Sequence, residues 1–173
     1  INEKLNLFKN CDTLIYNKDY HELHDCILQF ANHLKNNINK EIRLLEWSRK
    51  SEACLQITAL EKSAGHTRIK ALYHSETIEL QIPFIDDASI ENCIHCWLTL
   101  LLLQVPAGDI SARFEKLLPV AMRLELIKGI NHCTLINDSY NSDLTSFTVA
   151  VDFLIQQNQH ENKTIILSDI LQI

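Results

Sequence analysis

The segment Thr77-Ile78-Glu79-Leu80-Gln81-Ile82 alternates polar and apolar residues one by one. A helix cannot gather such a pattern on one face, so it predicts a half-buried β-strand over residues 77–84, with Ile78, Leu80 and Ile82 inward and Pro83 at its end. Residues 67–73 read as its hairpin partner, with His74-Ser75-Glu76 as the turn. Strands are also predicted over residues 12–16, 42–47 and 54–60. Between the first two, Leu23, Cys26, Ile27, Phe30 and Leu34 recur at steps of three and four, the spacing of an amphipathic helix. Asp19 is the expected cap of that helix, and Asn36-Asn37-Ile38-Asn39-Lys40 its break. Beyond Pro83, Asp86-Asp87-Ala88-Ser89 offers start signals for a helix reaching Leu103. A turn at Pro106-Ala107-Gly108-Asp109 and a short helix over residues 110–117, stopped by Pro119, complete this half.

The remainder has a different rhythm. Residues 124–127 and 133–136 read as strands joined across Lys128-Gly129. Residues 143–157 read as an amphipathic helix with Phe147, Val151, Leu154 and Ile155 on one side, and 164–167 as a final strand of buried type. Strand, strand, helix, strand from about residue 121 suggests the opening of a βαβ unit, hence an α/β protein. One crossover is too little for a doubly wound domain, and the first residue is Ile1 rather than Met. The expectation is a region of something longer.

Composition narrows the function classes. Sixteen basic against 22 acidic residues leave a formal charge of −6, which disfavours a general nucleic-acid surface. Residues 97–105 form the longest apolar run, and Thr99 and Gln104 interrupt it well short of a membrane span. The six cysteines (11, 26, 54, 93, 96 and 133) lack the spacing of a disulfide framework and read as free thiols. Cys93-x-x-Cys96, with His95 between, superficially resembles a metal or redox pair. On a helix both sulfurs would share the core face of Trp97 and Leu100, and no second ligand pair stands at zinc-like spacing.

Chemistry concentrates at Thr134-Leu135-Ile136-Asn137-Asp138-Ser139-Tyr140-Asn141. An apolar strand runs there into an acid, a hydroxyl, an aromatic and an amide, just ahead of a helix start. Open α/β sheets place ligands at such strand ends, where loops diverge and helix N–H groups point outward. A capped turn, with Asp138 or Asp143 as the cap, would use the same residues.

The stretch resembles the Mur ligase signature D-D-S-Y-N-A-N-P-D-S, found at the opening of the C-terminal domain in the members that add D-alanyl-D-alanine. Asp138, Ser139, Tyr140, Asn141 and Ser146 match it. Asn137 stands in place of the first acid, and Ser142-Asp143-Leu144-Thr145 in place of Ala-Asn-Pro-Asp. Upstream, Val120-Ala121-Met122-Arg123-Leu124-Glu125 is similar to the family's V-x-G-R-L-E hinge, with Met122 where Gly is usual. Ala88-Ser89-Ile90-Glu91-Asn92-Cys93 is similar to H-N-x-x-N-A, without the His. Lys4-Leu5-Asn6-Leu7-Phe8 resembles K-x-E-I-F, Asn17-Lys18-Asp19 the N-x-D-D that follows, and Leu167-Ser168-Asp169-Ile170 the strand end L-G-D-M. The matches keep family order across the chain.

The resemblance implies an α/β piece of a Mur ligase. Residues 1–118 would be the latter part of the central ATP-binding domain, and 119–173 the first strands and helix of a Rossmann-like C-terminal domain. It implies a cytoplasmic enzyme of peptidoglycan synthesis that uses ATP and Mg2+ to join D-alanyl-D-alanine to UDP-N-acetylmuramoyl-tripeptide. Pyridoxal phosphate would enter only if an alanine racemase domain were fused. No nucleic acid and no membrane insertion are implied. Lys4 matches the lysine that the family carbamylates in support of magnesium, and no direct metal ligand is implied. Asn92, Arg123 and Asp138 match nucleotide-contacting positions: adenine edge, hinge arginine and ribose hydroxyls. Ser139, Tyr140 and Asn141 would border the dipeptide. The family's Gly-rich phosphate loop has no counterpart around Gly65, Gly108 or Gly129, so this piece alone is expected to be inactive. Two other readings stay open: a noncatalytic interaction module with a degenerate site, or a thiol- or metal-binding domain using Cys93, His95, Cys96 and Cys133.

Overall fold

The structure, a computed structural model, describes residues 2–118, 124–140 and 143–167. The chain divides into two compact units, Ile1–Leu117 and Leu118–Ile173.

The first unit is built on a five-stranded mixed sheet of order β1-β2-β3-β4-β5. A short helix α1 (Asn2–Leu5) continues as a 3-10 turn (Asn6–Phe8). Strand β1 (Thr13–Asn17), helix α2 (His21–Ile38) and strand β2 (Arg43–Ser48) then form a crossover unit, since β1 and β2 pair in parallel from Thr13↔Arg43 to Asn17↔Trp47. Strand β3 (Leu55–Ser63) is also parallel to β2, although only six residues separate them. A parallel neighbour normally needs a crossover of a dozen residues or more. Here β3 pairs only through Trp47↔Leu55 and Ser48↔Gln56, so it begins where β2 ends and runs onward, and no return journey is required. Strands β4 (His66–Tyr73) and β5 (Glu76–Ile82) complete an antiparallel meander. The turn is one residue shorter than expected, because Glu76 already pairs with Tyr73; His74 and Ser75 form it, both with positive φ (49° and 66°), the conformation that suits the twist of a tight hairpin.

Period-2 alternation decides which face each strand residue joins. Leu45 and Trp47 of β2, Ile57 of β3, Ile69 and Ala71 of β4, and Leu80 and Ile82 of β5 form one core with helices α3 (Asp87–Leu102) and α4 (Ala107–Phe114). On the opposite face Leu14 and Tyr16 of β1 pack with Ile27 of α2 and Leu5 of α1. The result is a sheet covered on both sides at its parallel end. Asp86 caps α3 by accepting the Ser89 N–H at 2.8 Å.

In the second unit, β6 (Glu125–Lys128) and β7 (Thr134–Asn137) form a two-stranded antiparallel sheet followed by α5 (Leu144–Gln156). Asp143 caps α5 through the Ser146 N–H at 2.8 Å.

Several sequence expectations are corrected here. Asp19 does not cap α2. The helix begins at His21, so the cap position falls on Tyr20, and the Asp19 carboxylate instead accepts the Ser48 hydroxyl at 2.5 Å and the Arg49 N–H at 2.9 Å. The turn expected at residues 106–109 is taken into α4, which Pro106 starts with its fixed φ of −58°. Cys93 lies in the core but Cys96 is exposed, because three residues turn a helix by about 300° and leave the second sulfur beside the core stripe. Ile155 is 61% exposed; the inward face of α5 runs through Phe147, Ala150, Val151 and Leu154, with Phe153 buried. Residues 164–167 form no strand. They find no ladder partner among the described residues, and Ile166 is 91% exposed.

Candidate functional site

The residues expected to form a site fall on helices in the first unit and at the C-terminal end of a strand in the second. In the second unit, β7 delivers Asn137 and Asp138 side by side. Asp138 Oδ1 accepts the backbone N–H of Leu124 at 3.1 Å, tying the end of β7 to the start of β6, and Leu124 itself has a positive φ of 47°. Ser139 donates its hydroxyl to Asn137 Oδ1 at 2.8 Å, and Asn137 Nδ2 donates to Glu125 Oε2 at 3.3 Å. The acid of the motif is thus half-buried and oriented by backbone, whereas Ser139 and Tyr140 are exposed, Tyr140 by 62%. An open groove of about 1020 Å³ runs alongside, and Asn137, Asp138 and Ser139 line it together with Leu135, Val151 and Leu154. Asp143 rather than Asp138 is the helix cap, using both carboxylate oxygens on Ser146. That frees Asp138 from the capping role open to it in the sequence. Arg123 and Asn141 lie outside the described residues, as do residues 168–170 of the strand-end match and Val120, Ala121 and Met122 of the hinge.

In the first unit, Lys4 is exposed on α1 and Asn92 is exposed on the second turn of α3. The structure gathers at the start of α3 side chains that the sequence did not bring together. Tyr20, just beyond β1, donates its hydroxyl to Glu91 Oε2 at 3.0 Å. Burial raises the Tyr20 phenol above its ordinary value, and the bond to Glu91 raises it further. Arg49, just beyond β2, has Nη1 3.9 Å from Asp87 Oδ1 and Nη2 3.9 Å from Glu91 Oε1. Its guanidinium carbon stands 5.9 Å from the Trp47 ring centroid. Trp47, with no exposed surface, donates its indole N–H to His95 Nδ1 at 3.2 Å. Asp87, Glu91 and His95 recur every fourth residue on a helix otherwise rich in apolar residues, and that spacing was the available signal.

The thiol reading loses its geometry. Cys93 is buried and pushed up to about 12 by desolvation, with Cys96 adding to the shift. No group of three or more His, Cys, Asp or Glu that could hold a metal ion forms among the described residues. No helix of the described residues is long and apolar enough to cross a membrane.

No family model matches the chain, and no curated protein matches it. Solved structures do. The chain is similar to MurF from Acinetobacter baumannii, with 19% identity and a TM-score of 0.63 over 84% of this chain and 30% of that one. It is similar to MurF ligase from Thermotoga maritima in complex with ADP, with 12% identity and a TM-score of 0.55 over 84% and 31%. Folylpolyglutamate synthetase from Lactobacillus casei aligns at 12% identity with a TM-score of 0.64, over 90% of this chain and 38% of that one. The fold is therefore the mixed α/β fold of Mur-type ligases, and the chain spans about a third of the length of these structures.

Proposed function

We propose that the chain is part of an ATP-dependent Mur ligase, running from the latter part of its central domain (residues 1–118) into the start of its C-terminal domain (119–173). The reaction proposed for the complete enzyme joins D-alanyl-D-alanine to UDP-N-acetylmuramoyl-tripeptide. ATP phosphorylates the tripeptide's terminal carboxylate, releasing ADP. The dipeptide amine then attacks the acyl phosphate, releasing phosphate and a proton as the amide forms. Magnesium would be held by groups beyond the described residues, and Lys4 would support it only after carbamylation.

One observation carries the reading. Asp138-Ser139-Tyr140 stands at the C-terminal end of β7, ahead of a capped helix, in a chain whose fold over 84% of its length is that of a MurF structure. That is where an α/β protein places a ligand. Asp138, with one oxygen held by the Leu124 N–H, would accept ribose hydroxyls with the other. Asn92 can donate and accept at once, as the adenine edge requires. Arg123 would meet nucleotide, and Ser139, Tyr140 and Asn141 the dipeptide. A noncatalytic module is the second reading, favoured by Met122 and Ala88 where the family has Gly and His.

The test is D-alanyl-D-alanine-dependent ADP release by the complete reading frame. We expect release to require both the nucleotide-linked tripeptide and the dipeptide, and Arg123→Ala to raise the KM for ATP more than Tyr140→Phe does. A complete reading frame with no Gly-Lys-Thr or Gly-Lys-Ser loop and no ADP release would leave the noncatalytic reading standing. These 173 residues alone should release no ADP above a blank.

A further inference from the structure

One face of α3 is fastened to the strand ends, and the reading above makes no use of it. Asp87, Glu91 and His95 lie at successive four-residue steps on that face. Lys62 of β3 is 3.1 Å from Asp87 Oδ1, Tyr20 bonds Glu91, and Trp47 bonds His95. Arg49 stands between the two acids, 3.9 Å from each. Its Nε and Nη2 are shut off from solvent and have no hydrogen-bond partner. The carboxylates balance its charge without satisfying its N–H groups, so this contact has the most left to gain. An approach of about 1 Å would bring both acids into charge-assisted hydrogen-bond range.

Asn92 follows Glu91 directly and points its residue to solvent. Successive helix residues are fixed about 100° apart, so any rotation that carries Glu91 carries Asn92 through the same angle. We propose that Arg49 is a positioning residue. Through Asp87 and Glu91 it sets the rotation of the first turns of α3, and with it the direction in which Asn92 presents its amide to an adenine ring. Nucleotide engagement draws the two acids onto the waiting guanidinium. The proposal rests on Asn92 being the adenine-reading amide, and it adds the residue that aims it.

The experiment uses the complete ligase with ATP and GTP as competing phosphoryl donors. The variants are Asn92→Ala, Arg49→Met, Arg49→Lys and Glu91→Gln, each checked for an unchanged melting curve. Arg49→Met should raise the KM for ATP roughly fivefold to tenfold and reduce the preference for ATP over GTP by a similar factor, with kcat within about twofold, because misaiming a hydrogen-bonding group costs binding of the base it reads. Arg49→Lys should recover part of the loss, since it keeps the charge but cannot span both acids. Glu91→Gln should lie between Arg49→Lys and Arg49→Met. A merely structural role would lower kcat with both nucleotides and leave their ratio unchanged, and that result overturns the proposal. Asn92→Ala without effect would overturn the adenine reading beneath it. Loss of preference in Asn92→Ala alone, with the Arg49 and Glu91 variants like wild type, would overturn only the positioning role. Should Arg49→Met fail to fold, Arg49→Lys and Glu91→Gln still decide, since either the nucleotide ratio moves or it does not.

Discussion

Helices α3 and α5 begin alike and end up in different surroundings. Each is started by an aspartate that accepts the N–H of a serine three residues on, at 2.8 Å in both. α3 then buries Ile90, Cys93, Ile94, Trp97 and Leu98 against a five-stranded sheet, whereas Phe153 is the buried residue of α5 among those described. Start signals are local and equally strong, so they cannot explain the contrast. What differs is the surface beneath. A two-stranded sheet is marginal in water and offers little to pack against. Leu126, Leu135 and Ile166 stay exposed on a unit whose apolar strands read as residues meant for burial on both faces.

The largest expected effect follows from that contrast. Leu98→Ala, at a position with no exposed surface, should destabilise the first unit by about 2–5 kcal/mol, whereas Ile155→Ala on α5 should change stability by less than about 0.5 kcal/mol. Urea denaturation of the chain measures both, and equal costs would abolish the distinction drawn between the two helices. A finer comparison uses the matched caps. Asp86→Ala and Asp143→Ala each remove one cap worth about 1 kcal/mol. The first should lower the urea midpoint of the first unit, and the second should chiefly speed amide exchange within α5. A shift of the first unit's midpoint by Asp143→Ala would show that the units do not respond separately.

The smallest effect concerns thiols and alkali. Cys96 and Cys133 are exposed and should be alkylated in the native chain, while Cys93 should resist until unfolding. Mass spectrometry of peptides after brief alkylation reads this directly, and early labelling of Cys93 would contradict its burial. Burial also holds Cys93 and Tyr16 protonated, each raised to about 12, with Glu46 adding to the shift of Tyr16. For a group whose folded value is raised, folding favours the protonated form. That contribution is whole below the unfolded values, near 9 for the thiol and 10 for the phenol, and is lost as pH climbs from there through about 12. Stability should therefore decline across that alkaline window.

The helix starts at Asp86 and Asp143 and the alternation from Thr77 to Ile82 were legible in the sequence because each is a short-range signal. Capping needs four residues and alternation needs six. The motif from Asn137 to Tyr140 was legible for the same reason: strand, polar strand end and helix start are contiguous. Asp19 was misread because the cap position depends on the residue at which a helix begins, and Ser48 and Arg49, 29 and 30 residues away, competed for its carboxylate. Residues 164–167 carry a strand's composition, but a strand exists only through its neighbour, which no property of the segment supplies. Arg49 gave no signal at all, since its partners Asp87 and Glu91 are about forty residues on and meet it only after the meander between them has folded.

Local chemistry, then, determined where α3 and α5 begin, which strand residues face inward, and that an acid, a hydroxyl and an aromatic would meet at one strand end. Each of those follows from backbone geometry within a few residues. Only the tertiary structure decided which strands outside the β4–β5 hairpin acquired partners, which sulfur became buried, and which charges gathered at the start of α3. Those outcomes are pairings between distant segments, and they depend on which strands lie side by side in the sheet.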